Sequence, residues 1–299
     1  MGRPADTLVF RTNLGDHPAV LPIKTGTLTA PGIAFDFCGP KSPPAGFKDM
    51  VQRGAYDLGE LAIGTYLQAV VYDKPLMLLP VTITARLQHA MIVCRRQDRF
   101  DPHELAGRRV GVRAYTQTTG IWVRAILSED YGVDADAITW MCADGAHLAE
   151  YRDPPNVHQI DPAHGDLAEL LATGRIDAAI FGADMPKDPD FVPLIPDPDA
   201  AARNWLARHR YVPVNHLLAI GRDIAESHPE QVRALYRLFS AAKAQAPTDR
   251  SGIDFLPLGF DALRAPVETM IEHCLDQKII PRRLSFDAVF GQARRLLDA

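Results

Sequence analysis

The sequence predicts an α/β protein of two Rossmann-like lobes joined by two crossings of the chain. Three observations carry this. The 299 residues are enough for two hydrophobic cores of ordinary size. Short apolar, β-branched runs alternate with amphipathic stretches, the pattern of βαβ units around parallel sheets. One local pattern also occurs twice. Met50-Val51-Gln52-Arg53-Gly54-Ala55-Tyr56-Asp57-Leu58 is echoed by Leu171-Ala172-Thr173-Gly174-Arg175-Ile176-Asp177-Ala178. In each, a helix ends on a glycine that accepts the left-handed conformation, and an apolar-Asp step enters a strand.

Along the chain, the apolar run Leu8–Arg11 is the first expected strand and Ala34–Phe37 the second. The helix Phe47–Arg53 runs to Gly54 and the strand Tyr56–Leu61 follows. Ala90–Cys94 and Arg109–Val112 are apolar strand candidates, and a hydroxyl-rich turn opens the helix Thr118–Asp130. Ile138–Met141, the helix Leu167–Ala172, and the strands Ala178–Phe181 and Leu217–Ile220 continue the alternation. Pro229–Ala246, Ala262–Asp276 and Phe286–Leu297 read as closing helices. Asp153-Pro154-Pro155, Asp161-Pro162 and the stretch from Pro186 to Pro198 are expected as surface loops, because proline breaks helix interiors and central strands. Lobe one is expected at 1–88 plus 215–299 and lobe two at 89–214, with the ligand in the cleft at the carboxyl ends of the strands.

Composition narrows the function classes. Hydrophobic residues make up 47% and charged residues 23%, ordinary for a globular protein. A net charge of −5 without a long basic run argues against nucleic acid as partner. No apolar run approaches the ~20 residues that span a bilayer, so no membrane association is expected. Met1-Gly2-Arg3-Pro4-Ala5-Asp6 lacks the signature of a leader, which predicts a cytoplasmic location. Cys38, Cys94, Cys142 and Cys274 form no Cys-x-x-Cys pair, and the histidines show no ligand spacing, so no metal is expected. There is no glycine-rich phosphate loop and no nucleophile elbow. A homo-oligomer is compatible with all of this.

Several polar residues fall at expected strand ends. Tyr115-Thr116-Gln117-Thr118-Thr119 joins a strand to a helix, where free amides and hydroxyls favour an anion such as a carboxylate; a threonine that only caps the helix is the alternative. Asn13, Asp16 and His17 follow the first strand, as a site or as a turn. Glu60 lies among apolar neighbours, which would raise its pKa, unless it is a partly exposed carboxylate with an arginine partner. Asp184 follows the strand at Ala178. His89 and His216 stand where the chain is expected to change lobes, as site residues or as hydrogen-bonded structural ones.

Taken in order, "YDLGELAIGTYL", "LPVTITARLQHAMIV", "LAGRRVGVRAYTQTTGIWVRAILSEDYGV", "LLATGRIDAAI" and "YVPVNHLLAIGRDI" resemble the 4,5-dihydroxyphthalate decarboxylase family, from about Phe10 to about Lys243. The resemblance implies a type-2 periplasmic-binding-protein-like fold, with Glu60, His89, Tyr115, Thr118, Trp122 and His216 at family-like positions. Departures are visible. Ala85 and Gln88 stand where the family pattern has arginines, with Arg86 displaced by one step. Ala114 replaces a glutamate, and Thr116 a glutamine, with Gln117 one position later. A second substrate carboxylate without those arginines would be poorly paired, at several kcal/mol if buried, which points away from phthalate itself.

The expected function is therefore a metal-independent decarboxylase of a hydroxylated aromatic acid that needs no organic cofactor. His89 or His216 would donate the proton and Glu60 would tune or orient it. Thr118 and Thr119 would hold the carboxylate, with Asn13, His17, Gln117 and Asp184 as further substrate contacts and Tyr115 on a ring hydroxyl. The alternatives are a non-catalytic solute-binding protein and a dehydratase or lyase of the menaquinone-precursor type on the same fold.

Overall fold

The computed structural model describes residues 7–246 and 253–298, so the parts of expected lobe one at 1–6, 247–252 and 299 lie outside the described residues. Its strands are β1 (Leu8–Asn13), β2 (Ile33–Asp36), β3 (Leu58–Ala62), β4 (Leu76–Ala85), β5 (Ile92–Arg95), β6 (Arg109–Val112), β7 (Thr139–Cys142), β8 (Val157–Gln159), β9 (Ala178–Ile180), β10 (Phe191–Pro193) and β11 (Val214–Gly221). Its helices are α1 (Leu21–Lys24), α2 (Phe47–Arg53), α3 (Ile63–Val71), α4 (Thr118–Tyr131), α5 (Leu167–Ala172), α6 (Pro198–His209), α7 (Arg222–Ser227), α8 (Pro229–Gln245), α9 (Phe260–Asp276) and α10 (Phe286–Leu297). They form two compact α/β units. Unit 1 comprises Met1–Arg86, Val214–Ile271 and Arg282–Ala299; unit 2 comprises Leu87–Pro213 and Glu272–Pro281.

In unit 1 the sheet order is β2-β1-β3-β11-β4. β1 pairs in parallel with β2 and β3, while β11 runs antiparallel to β3 and β4. Phe10, Leu58, Leu79, Val81, Leu218 and Ile220 from the sheet pack with Val232, Leu235 and Phe239 of α8 into one buried cluster. Unit 2 has the order β10-β5-β9-β6-β7-β8, with β9, β6, β7 and β8 in parallel register, β5 antiparallel to β9, and β10 antiparallel to β5. Its core includes Val93, Leu167, Leu170, Leu171, Ile176 and Phe181.

The repeated sequence pattern is a repeated structure. In unit 1, Arg11 of β1 donates from Nε to Asp57 Oδ1 at 3.0 Å and from Nη2 to the Gly54 carbonyl at 3.2 Å, while its amide meets Asp57 Oδ2 at 2.8 Å. In unit 2, Arg109 of β6 contacts Asp177 and the Gly174 carbonyl with the same atoms, and its amide meets Asp177 Oδ2 at 2.8 Å. Gly54 and Gly174 both take positive φ, 59° and 74°. The sequence echo exposed the glycine and the aspartate of each clamp. The arginine comes from a strand far away in sequence and was not foreseen.

Several boundaries differ from expectation for physical reasons. Expected lobe one contained all of 215–299, yet Glu272–Pro281 clusters with unit 2. There Gln277 hydrogen-bonds Arg124 and the Ile121 carbonyl, and Lys278 reaches Asp136 at 2.6 Å. β4 was missed because Pro80 interrupts its apolar run, and Pro80 is tolerated because β4 is the sheet's edge strand. α3 was missed because it is short and follows the apolar strand β3 directly, with Ala62 at its N-cap in place of a polar capping side chain. The proline-rich stretch expected as loop contains the short edge strand β10, and Asp197 then caps α6 with Pro198 at its start.

Candidate functional site

In unit 1, β3 places Glu60 at its third position with only 1% of the residue exposed. Three groups converge on its carboxylate. Oε1 accepts the Gly15 amide at 2.8 Å and faces His17 Nε2 at 2.8 Å, while Oε2 faces His216 Nδ1 at 2.6 Å. The pairing follows from register. Leu218 of β11 stands opposite Glu60 and His216 opposite Ala62, so His216 and Glu60 are diagonal neighbours on one face. The edge of Phe47 meets the His216 ring at 5.1 Å and 83°. His17 arrives from the turn after β1, where its carbonyl accepts the amides of Val20 and Leu21. It is thus a turn residue whose ring also meets Glu60.

Burial pushes the Glu60 pKa up, but the hydrogen bonds from His17 and His216 outweigh it and bring the group down to about 2. Both sequence expectations for Glu60 are corrected: its pKa is lowered, and its partners are two histidines. An ionised carboxylate only accepts hydrogen bonds, so His17 Nε2 and His216 Nδ1 must each carry hydrogen. That leaves His17 Nδ1 and His216 Nε2 as the nitrogens able to serve another molecule. Gly15 is part of the arrangement: a Cβ there would lie 2.8 Å from His17 Nε2 and 3.2 Å from Glu60 Oε1. Asn13 ends β1 fully buried, donating from Nδ2 to the Pro43 carbonyl at 3.0 Å, while its Oδ1 meets no partner among the described residues.

Unit 2 assembles a second group of predicted residues. Gln117 is the N-cap of α4 and makes no side-chain cap bond; Thr118 and Thr119 form the first two helical positions, each 3% exposed. Asp184, four residues beyond β9, accepts the Gly182 amide at 2.8 Å through Oδ1. A Cβ on Gly182 would sit 3.3 Å from Asp184 Oδ1, 3.3 Å from Gln117 Nε2 and 4.0 Å from Thr119 Oγ1. Three predicted residues therefore meet around a glycine that sequence reasoning did not single out. The small pair Gly182-Ala183 directly after a strand was its only signal.

The remaining predicted residues are placed differently. His89 is 1% exposed, edge-on to Trp205 at 6.3 Å, and neither ring nitrogen has a partner among the described residues. Burial, with Arg208 adding repulsion, lowers its pKa to about 4, so it is neutral near pH 7. Tyr115 was expected on a ring hydroxyl. Its buried ring packs edge-on to Trp140 at 6.0 Å, with Arg124 4.0 Å from its centroid. Burial raises the Cys94 thiol and pushes Cys142 to about 12, which makes both poor nucleophiles. Among the described residues no three His, Cys, Asp or Glu side chains form a metal-binding group. No helix there is long and apolar enough to cross a membrane. A cavity of about 620 Å³ in unit 1 opens at the other end of the sheet, beside Arg11, Asp57, Lys74 and Asp223, and is lined by none of the predicted site residues.

Comparison with known proteins bears on family resemblance and fold. No family model matches the chain. A curated relative from Comamonas testosteroni named 4,5-dihydroxyphthalate decarboxylase is 28% identical over 254 residues, covering 79% of this chain and 74% of the relative. One of the same name from Pseudomonas putida is 26% identical over 211 residues, covering 64% and 79%. Among solved structures, the alkanesulfonate-binding protein SsuA from Xanthomonas axonopodis pv. citri, bound to MOPS, superposes with a TM-score of 0.59 at 14% identity, over 97% of this chain and 99% of that one. The desulfurization enzyme DSZB superposes with a TM-score of 0.53 at 14% identity, over 96% and 99%. At such identity these two share the fold alone, and it is the fold of solute-binding proteins.

Proposed function

We propose that this chain, a divergent relative of the 4,5-dihydroxyphthalate decarboxylases, removes carbon dioxide from a hydroxylated aromatic acid and uses the Glu60–His216–His17 cluster to handle the proton. The observation that carries the mechanism is a buried, ionised carboxylate bonded to two histidines. In the reaction a proton goes to the ring carbon that bears the carboxylate. A ring hydroxyl ortho or para to it supplies electron density. The carbon–carboxylate bond then breaks, its electrons restore the aromatic ring, and CO2 departs. One proton is consumed per turnover.

His216 is the proposed acid. Its Nδ1–H is held by Glu60, so the proton delivered comes from Nε2 of the doubly protonated ring, and Glu60 balances the charge of that form. His17, on the other carboxylate oxygen, orients Glu60. His89, neutral and without a polar partner among the described residues, is a poorer donor. The Gln117–Thr119 turn is the proposed carboxylate subsite, because helix-start amides and hydroxyls favour an anion. The chemistry is proposed to need no metal and no organic cofactor, and a cytoplasmic site of action accords with a small aromatic substrate.

The test is turnover of hydroxylated aromatic acids by single variants. His216→Asn is expected to lower kcat by about 10²–10⁴ while ligand binding stays within about tenfold. Wild type should exchange the product's ring hydrogen in deuterated water, and His216→Asn should not. A loss of that size in His89→Asn with His216→Asn unaffected would move the acid to unit 2. Tight binding of aromatic acids without any turnover would replace catalysis by solute binding.

A further inference from the structure

Arg124, in the second turn of α4, is 2% exposed and belongs to no ion pair among the described residues. Its Nε donates to Gln277 Oε1 at 2.7 Å and its Nη2 to the Tyr115 carbonyl at 2.6 Å. The guanidinium lies 4.0 Å from the Tyr115 ring centroid and 5.1 Å from that of Trp140. Nη1 has no partner among the described residues, and a Cβ on Gly120 would stand 3.2 Å from it. Asp153 feels this charge but gives its carboxylate to Gln159 Nε2 at 3.1 Å.

A guanidinium keeps its charge in proteins, and a buried charge without a counter-ion is costly. Here that charge lies directly beneath the residues 115–120 that open a 14-residue helix, whose own dipole is positive at the same end. Both fields add, in an interior where screening is weak. The missing negative charge is one that a bound molecule can supply.

We infer that Arg124, its guanidinium bonded to the Tyr115 carbonyl and packed against Gly120, is the positioning residue that makes the Gln117–Thr119 turn select a carboxylate over a neutral group of the same shape. The inference rests on the proposed carboxylate subsite and adds the source of its selectivity. Arg124 touches no ligand; it acts through the turn. The competing role is mechanical, with Arg124 only tying Tyr115 to Gln277.

Calorimetric binding of 3,4-dihydroxybenzoate and of the isosteric 3,4-dihydroxybenzamide at low salt separates the two. Arg124→Met should weaken the carboxylate at least tenfold while the amide changes by less than about threefold, and Arg124→Lys should recover most of the difference. Gln277→Glu keeps an acceptor on Nε but brings the missing negative charge into the protein. It should depress the carboxylate selectively, even if Arg124→Met fails to fold. In turnover, the effect should fall on KM, with kcat within a few-fold. Equal weakening of acid and amide in these variants, or unchanged selectivity, overturns the charge role. Should Thr118→Val with Thr119→Val abolish the preference for the acid while Arg124→Met leaves it intact, the subsite stands and this inference falls. If wild type shows no preference for the acid, the subsite falls with it.

Discussion

Glu60 shows how one residue links stability to chemistry. Its folded pKa of about 2 lies below the ordinary 4.5, so the ionised form is favoured by folding. The corresponding stability is fully present above pH ~4.5 and is lost progressively as pH falls through about 2. A shift of this size is on the order of 3 kcal/mol. Acid unfolding of wild type should therefore steepen below pH ~4.5. In Glu60→Gln that stretch should flatten, the midpoint at neutral pH should drop, and kcat should fall with it; urea titrations at a series of pH values check this. An unchanged acid limb in Glu60→Gln would show that Glu60 is not held ionised in the folded protein.

At the scale of elements, the turns after strands do the positioning. Gly15→Ala would press a methyl group against His17 and Glu60, so turnover should fall by about tenfold or more while the melting temperature moves by only a few degrees. Circular dichroism and kinetics on the same sample distinguish this from unfolding. In unit 2, replacing Thr118 and Thr119 together by valine should weaken carboxylate ligands far more than matched neutral analogues. The duplicated clamps make a further prediction. Arg11 and Arg109 are about half exposed, so the ion pairs themselves contribute little. Asp57→Ala or Asp177→Ala also removes the acceptor of a strand amide, and because these bonds lie at the surface, where water can take over, the cost should be about 0.5–1.5 kcal/mol in each case by urea unfolding.

For the whole molecule, ligand and fold are linked by mass action. A hydroxylated aromatic acid at a hundredfold excess over its dissociation constant should raise stability by about 2.7 kcal/mol, visible as an upward thermal shift. Matched acids without the ring hydroxyl can bind, but should not lose CO2, since nothing then feeds electrons to the protonated carbon. Activity after exhaustive chelation, with metal content measured, should stay near its starting value. Recovery of a lost activity by one divalent ion would overturn the proposed metal-independent chemistry.

The sequence by itself determined the alternation of strands and helices, the α/β class and the glycine-aspartate half of each clamp. It also flagged Glu60, His17 and His216 individually. These features are local: apolar periodicity, helix-ending glycines and polar residues at strand ends are written in neighbouring positions. What tertiary structure decided is which of those residues meet. Register between β3 and β11 brings His216 to Glu60 across 156 positions and turns an expected upward pKa shift into a downward one. The fold also buries His89 against Trp205 and packs Arg124 beneath Tyr115. Long-range pairing leaves no periodic trace in the sequence, and the charge state of a buried group depends on the partners that such pairing supplies.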